Sequence, residues 1–202
     1  INVNTVYNGI DISRYQLALK NNNRNILRKK YGIFANEIVV VFAGRICEEK
    51  GIKELMVAIK SIPTSYTIRL VVIGGSTFEG SKETPFIKEL KQIAKPLKDR
   101  VIFTGYVPHD QIADIYSIAD IGCVPSVWDE PFGLTVIEQM AMGLPLIVSD
   151  SGAIPEIVDE SCAIFVKRGD QFIKGLEEAI MELYSNKEKR NEMGNNALKK
   201  VQ

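Results

Sequence analysis

Cysteine, histidine and long apolar runs are all scarce in this 202-residue chain, and each scarcity excludes a class of site or location. The three cysteines, Cys47, Cys123 and Cys162, lie far apart and form no CxxC pair, and His109 is the single histidine. Structural zinc sites are built from closely spaced cysteines and histidines, so we expect no metal site. The usage indicates a reducing compartment, with Cys123 and Cys162 as small apolar core residues.

An excess of charge of one sign is also missing, because 25 Lys and Arg residues balance 25 Asp and Glu residues. Nucleic-acid binders need a basic surplus to contact phosphates, and we therefore predict no nucleic-acid partner. The basic cluster Arg28-Lys29-Lys30 is short, and we interpret it as a solvated helix face rather than a membrane-binding patch.

Signals for membrane insertion or export are absent from the sequence. No apolar run approaches the roughly 20 residues that a membrane-spanning helix needs. Residues 1–4 lack the charged and apolar regions of a signal peptide. The chain has no initiator methionine and opens inside a predicted strand, which we interpret as the start of a fragment cut from a longer protein. We expect a cytoplasmic location, and a location at the inner face of the cell membrane is the alternative.

Along its length, the chain alternates short β-branched runs with longer amphipathic stretches. Continuous apolar runs predict six buried strands, at residues 38–43, 68–73, 101–104, 121–124, 146–148 and 163–166. Apolar residues at helical spacing predict the intervening helices, at residues 51–62, 85–97, 111–119, 134–142, 154–158 and 172–184. A charged helical tail is expected over residues 186–202.

Buried strands separated by helices predict a parallel sheet covered on both faces, in a single α/β domain over residues 1–202. We expect a Rossmann-like, doubly wound sheet with right-handed crossovers. Ligands of such sheets bind outside the carboxyl ends of the strands. The residues that follow the predicted strands at this edge are Gly44, Gly74, Gly75, Gly105, Pro125 and Ser126.

Three familiar motifs fail on inspection. The stretch from Gly75 to Lys82 resembles a Walker A loop, but Ser81 separates the glycine from the lysine that must adjoin it. No G-x-G-x-x-G follows a strand, so a dinucleotide site is poorly supported. No G-x-S-x-G elbow accompanies His109, which disfavours a Ser-His-Asp hydrolase. We interpret His109 as an ordinary loop residue, with a place at the border of a ligand pocket as the alternative.

Two motifs carry chemistry. Glu130 and Glu138 flank a predicted strand-to-helix turn, where the backbone N–H groups at Phe132, Gly133 and Leu134 form an inherent anion site. The second motif follows the first buried strand and runs from Gly44 to Gly51. It places Arg45 and Lys50 at the ligand edge of the sheet, where a planar guanidinium and a mobile ammonium group suit the oxygens of a pyrophosphate without a metal.

These motifs resemble those of the retaining GT-B glycosyltransferases of family 4, also called glycosyl transferases group 1. Residues 130–138 resemble the E-x7-E motif of that family, and residues 44–51 resemble its G-R-x4-K-G element. Residues 6–11 resemble the segment that opens its C-terminal domain, and residues 103–108 and 149–156 match in the expected order. The resemblance covers nearly the whole chain and implies the C-terminal, donor-binding half of a GT-B fold.

The resemblance also implies a role for each motif residue. Arg45 and Lys50 would contact the pyrophosphate of a nucleotide sugar, Glu138 the ribose hydroxyls, and Glu130 the hydroxyls of the donor sugar. The backbone at Phe132, Gly133 and Leu134 would face the sugar and phosphates. The base would pack near Tyr106, Val107 and Pro108. Gly44, Gly74 and Gly75 would keep the strand ends open. Ser126 is a further candidate binding residue. Trp128 is interpreted as a packing residue.

The resemblance implies a retaining, metal-independent hexosyltransferase with no cofactor and a UDP-sugar as donor. Its N-terminal half would bind a glycan or lipid-linked acceptor in surface polysaccharide or lipopolysaccharide synthesis, and the full-length protein is expected to associate peripherally with the membrane. Glu130 as the nucleophile of a double displacement ranks below a sugar-binding role. A GT-B sugar-nucleotide epimerase and a non-catalytic nucleotide-sugar-binding domain stay open as alternatives.

Overall fold

The computed structural model describes residues 8–75 and 84–202, which form a six-stranded parallel sheet with helices on both faces. The strand order is β3-β2-β1-β4-β5-β6, the order of a doubly wound Rossmann sheet. The order reverses between β1 and β4, which makes their carboxyl ends the expected ligand position. The strands are β1 Ile38–Ala43, β2 Ile68–Ile73, β3 Val101–Gly105, β4 Ile121–Val124, β5 Leu146–Ser149 and β6 Ala163–Val166. The fold prediction is confirmed.

Nine α-helices and two 3-10 helices lie within the described residues. The α-helices are α1 Ile12–Asn21, α2 Arg24–Lys30, α3 Ile52–Ser61, α4 Pro85–Ala94, α5 Ile112–Tyr116, α6 Leu134–Ala141, α7 Ile154–Ile157, α8 Phe172–Ser185 and α9 Lys187–Val201. The 3-10 helices are Glu48–Lys50 and Lys95–Arg100. The helix predicted over residues 85–97 ends early, because Pro96 cannot donate a helical hydrogen bond. The predicted opening strand and most of the Walker-like stretch lie outside the described residues.

The core is divided between the two faces of the sheet because successive side chains of a strand point to opposite faces. Val40 and Phe42 of β1 pack with α3, α4 and α8, whereas Val39 and Val41 pack with α1 and α5. A third cluster joins β4 and β5 to α6, α7 and α9. Burial on both faces explains why the strands are continuous apolar runs. No helix of the described residues is both long enough and apolar enough to cross a membrane.

Arg28 corrects the interpretation of the basic cluster as a solvated face. Its side chain is buried, and its guanidinium donates to the carbonyl of Ile118 at 3.2 Å and to that of Phe34 at 3.0 Å. It also contacts the Asp120 carboxylate at 3.3 Å, just before β4. Lys29 and Lys30 are exposed as expected. The cluster therefore presents two cations to solvent, while Arg28 anchors α2 beneath the sheet.

Candidate functional site

A cavity of about 300 Å³ opens at the carboxyl ends of β1, β2 and β3. Its walls contain seven of the residues that the sequence singles out, namely Gly44, Arg45, Gly74, Gly75, Tyr106, Val107 and Glu138. Cavities of about 440 and 510 Å³ also exist, but their walls include residues that precede strands, such as Asp120 before β4 and Arg100 before β3. The position at the strand carboxyl ends, rather than the volume, selects the smaller cavity as the candidate site.

Gly74 is required where the loops after β1 and β2 meet at the cavity floor. Its φ is +137°, and a Cβ built on it would lie 1.9 Å from the carbonyl oxygen of Gly44. Backbone hydrogen bonds of 3.0 Å join Gly44 N to Ile73 O and Ile46 N to Gly75 O. These contacts hold the two loops together and keep side chains out of the space between the strand ends.

Glu138 is buried on α6, with 5% of its surface exposed, and still reaches the cavity wall. The Tyr116 hydroxyl donates to its Oε2 at 2.9 Å, and His109 Nε2 lies 3.2 Å from its Oε1. Burial, followed by the charge of Glu138, raises the pKa of Tyr15 and of Tyr116 above the ordinary tyrosine value. Both phenols are therefore protonated at neutral pH, and that of Tyr116 is available as a donor to the carboxylate.

His109 borders the cavity, which is the alternative that the sequence left open. Arg14 Nη1 lies 3.4 Å from its Nδ1, and a guanidinium can only donate. In the tautomer that lets Nδ1 accept from Arg14, Nε2 carries the proton and donates it to Glu138 Oε1. Helix α1 thus contacts the wall residue His109 through Arg14, and the spacing of the motifs does not predict this contact.

A second cluster lies in the loops after β1 and β4. Lys50 Nζ donates to both carboxylate oxygens of Glu130, at 2.7 and 2.9 Å, and the buried Ser126 hydroxyl donates to Glu130 Oε1. The ammonium group also lies 5.3 Å from the centre of the Trp128 ring, within range of a cation–π contact. The two residues predicted to contact separate parts of a ligand therefore neutralise each other, and Trp128 packs against the pair.

The side chain of Arg45 is less tightly held than that of Lys50. Its side chain is about half exposed and lies 3.7 Å from the equally exposed Glu49, a contact that contributes little in water. Because Arg45 also lines the cavity, its guanidinium is free to turn toward an anion bound there.

The amino end of α6 presents backbone donors beside the cavity. Gly133 is the N-cap, with a φ of +99°, and glycine has no side chain with which to cap the first N–H groups of the helix. Val136 N donates to the Gly133 carbonyl at 2.9 Å, so the N–H groups that precede it are the ones that an acceptor in the cavity could meet. Thr135 and Glu138, both on this helix, line the cavity. An anionic group in the cavity would meet the positive end of the helix dipole.

Some predicted residues stay outside the cavity wall. They follow β4 or β3, or belong to the Lys50–Glu130 cluster: Lys50, Pro108, Ser126, Glu130, Phe132, Gly133 and Leu134. The wall in turn contains Ile112 and Thr135, and Tyr116 contacts Glu138 from behind. Sequence reasoning missed these three, because Ile112 and Tyr116 read as core positions of a helix and Thr135 carries no motif of its own. Within the part of the chain that the structure describes, no group of three His, Cys, Asp or Glu side chains could hold a metal ion.

Comparisons with known proteins agree on one family. A family model described as "Glycosyl transferases group 1" matches residues 23–200. The chain is 32% identical over 201 residues to the putative glycosyltransferase YtcC of Bacillus subtilis strain 168, covering 98% of this chain and 49% of that protein. It is 34% identical over 159 residues to lipopolysaccharide 1,2-N-acetylglucosaminetransferase of Salmonella typhimurium strain LT2, covering 77% of this chain and 40% of that protein.

Among solved structures, Anabaena Alr3699/HepE in complex with UDP-glucose superposes with a TM-score of 0.83 at 26% identity. The match covers 97% of this chain and 51% of that one. The chain therefore spans about half the length of the relatives that it matches over nearly its whole extent.

Proposed function

Because this chain belongs to the glycosyl transferases group 1 family, we propose that it is the donor-binding, C-terminal half of a retaining GT-B glycosyltransferase. The intact enzyme would transfer a hexose from a nucleotide sugar to a glycan or lipid-linked acceptor. The single observation that carries the proposal is the cavity at the carboxyl ends of the strands, whose wall contains a buried carboxylate and an exposed guanidinium and which lies beside the amino end of a helix.

The cavity suits a nucleoside diphosphate in its parts as well as its position. Glu138 offers a desolvated carboxylate to the ribose hydroxyls, and Tyr106 and Val107 offer an apolar wall to the base. Arg45 and the amino end of α6 offer donors to the phosphates. UDP is the nucleotide that we expect, since the structurally similar Alr3699/HepE was solved with UDP-glucose.

The same groups favour bond cleavage at the anomeric carbon. When the C–O bond breaks, negative charge develops on the departing diphosphate, and donors that nucleotide binding has already brought to the phosphates stabilise that charge without further reorganisation. Arg45, Lys50 and the α6 amides would supply them without a metal ion. The departing group would leave from the face that the acceptor attacks, which retains the anomeric configuration.

Lys50 and Glu130 would act together in this scheme. The ammonium group is held by Glu130 and by the Trp128 face until a diphosphate offers it a second anionic partner. When Lys50 turns toward the diphosphate, the Glu130 carboxylate becomes available to the hydroxyls of the donor sugar. This exchange would link occupation of the phosphate site to recognition of the sugar.

The acceptor would be bound by another half of the full-length protein. The chain spans about half of its relatives, and the missing half would close over the strand ends that carry the cavity. An acceptor in surface polysaccharide or lipopolysaccharide synthesis is supported by the Salmonella relative named above. Peripheral association of the full-length protein with the cytoplasmic face of the membrane would follow from such an acceptor.

The proposal is tested by calorimetric titration of this chain with UDP, GDP and ADP, with and without Mg²⁺. We expect one nucleotide to bind equally well in both conditions, and Glu138→Gln and Arg45→Ala each to weaken it about 10-fold or more, because each removes a charge-assisted hydrogen bond. The matched controls are Glu177→Gln on α8 and Lys53→Ala on α3, whose ion pairs lie away from the cavity. Mg²⁺-dependent binding, or equal losses in the controls, would contradict the assigned site.

A further inference from the structure

The buried hydroxyl of Tyr116 contacts Glu138 but has no part in the function proposed above. Tyr116 ends α5, is fully buried, and packs in the cluster formed by α1, α5 and β1. Taking a hydroxyl out of water costs free energy unless it finds a hydrogen-bond partner, and here the partner is Glu138 Oε2 at 2.9 Å. The phenol does not line the cavity, so it contacts the site only through this carboxylate.

The two oxygens of Glu138 are held by partners of different kinds. Oε2 faces Tyr116, which cannot move without disturbing the core. Oε1 faces His109, whose side chain is 61% exposed and lines the cavity. A hydroxyl that enters the cavity can replace His109 at Oε1, whereas it cannot replace Tyr116 at Oε2. The carboxylate therefore presents one oxygen to a ligand while the other fixes its orientation.

We propose that Tyr116 is a positioning residue for nucleotide binding, which holds Glu138 so that its Oε1 faces the ribose hydroxyls. These hydroxyls replace His109 at Oε1 when the nucleotide binds. The inference rests on the proposed function, since it needs a nucleotide in the cavity. Burial and the neighbouring charge of Glu138 raise the pKa of Tyr116, so the phenol remains a donor at neutral and mildly alkaline pH.

The test compares the wild-type chain with Tyr116→Phe, titrated with UDP and with 2′,3′-dideoxyuridine diphosphate. Phenylalanine keeps the ring in the core and removes the hydrogen bond to Glu138. We expect the Kd for UDP to rise about 10-fold and the Kd for the dideoxy analogue to change less than about 2-fold, because the analogue has no hydroxyl for Glu138 to bind. Tyr184→Phe is the matched control, since its hydroxyl contacts Thr67 on the other face of the sheet.

The possible outcomes separate the positioning role from the function on which it rests. Equal weakening of both nucleotides by Tyr116→Phe would show a structural role only and overturn the proposal. An unchanged Kd for UDP would overturn it as well, while leaving the donor site intact. Failure of the wild-type chain to bind UDP would overturn the proposed UDP site and the positioning role together.

Tyr116→Phe removes the hydrogen bond that Tyr116 donates to the buried Glu138 carboxylate, and this loss could prevent the variant from folding. In that case a second comparison tests the proposal. Glu138→Ala and the double variant Glu138→Ala/Tyr116→Phe leave no such charge and no acceptor at residue 138 for Tyr116 to hold. We expect these two variants to bind UDP with the same Kd, because Tyr116 acts only through the carboxylate. A further loss in the double variant would overturn the proposal, because Tyr116 would then act independently of Glu138.

Discussion

Glu130 and Glu138 belong to one motif and are equally buried, yet their surroundings differ. Glu130 faces the cation of Lys50 and the hydroxyl of Ser126, so its charge is balanced. Glu138 faces the hydroxyl of Tyr116 and the ring of His109, and no lysine or arginine of the described residues pairs with it. A desolvated carboxylate without an ammonium or guanidinium partner is a strong acceptor for hydroxyl groups. The surroundings thus support a sugar-hydroxyl role for Glu138 that motif membership alone does not explain.

The Lys50–Glu130 pair gives a prediction about stability at the residue scale. Lys50→Met leaves the Glu130 carboxylate buried beside a neutral side chain, and we expect it to lower the free energy of unfolding by about 1–3 kcal/mol. Glu130→Gln in the same chain removes the stranded charge and should recover at least half of that loss. Urea denaturation of the two single variants and the double variant measures the coupling. Additive losses would show that the two side chains do not interact in solution.

At the scale of secondary-structure elements, contacts between the loops after β1 and β4 hold the Lys50–Glu130 cluster together. The loop after β1 carries Arg45 and Lys50, and the loop after β4 carries Ser126 and Glu130. Val127 N donates to Glu49 O at 2.9 Å, which joins the two loops through their backbones. The loops meet where the strand order reverses, so the sheet topology brings together segments that are about 80 residues apart.

Gly51 is the residue that permits this contact, and its substitution gives a prediction at the element scale. Its φ is +68°, and a Cβ would lie 1.7 Å from the carbonyl oxygen of Pro125. We expect Gly51→Ala to lower the free energy of unfolding by more than about 2 kcal/mol, because the loops must separate in addition to bearing backbone strain. Nucleotide affinity should fall with it, since Lys50 precedes this residue.

Gly32 provides the matched control for that substitution. Its φ of +65° is nearly the same, and a Cβ there would meet nothing within 4 Å. Gly32→Ala should therefore cost only the left-handed backbone strain, about 1 kcal/mol, and leave nucleotide binding unchanged. Equal losses of stability for Gly32→Ala and Gly51→Ala, measured by urea denaturation, would refute the steric contact with Pro125.

At the scale of the whole molecule, the proposed donor site lies at the edge of the sheet where the strands end. The cavity walls come from the ends of β1 and β2, from the segment after β3 and from α6. Because the chain spans about half of its relatives, we expect it to fold and bind a nucleotide without transferring sugar at an appreciable rate. Release of sugar from UDP-glucose by this chain and by the full-length protein, in the presence and absence of acceptor, measures the difference. Rapid turnover by this chain alone would contradict the division of roles between the two halves.

The amino-acid sequence by itself determined the parallel sheet, because buried strands must be apolar on both faces and each of them is a continuous apolar run. It also determined which residues follow the strands, and a parallel sheet necessarily collects those residues at one edge. Helix α1 and the bounds of α2 went unassigned, since several of their apolar residues, Leu17, Leu19 and Ile26, are exposed and do not mark a buried face. Only the tertiary structure decided the burial of Arg28, the pairing of Lys50 with Glu130 and the contact of Tyr116 with Glu138. Those contacts depend on where separate segments meet in space, and the periodicity of a single segment carries no information about its partner.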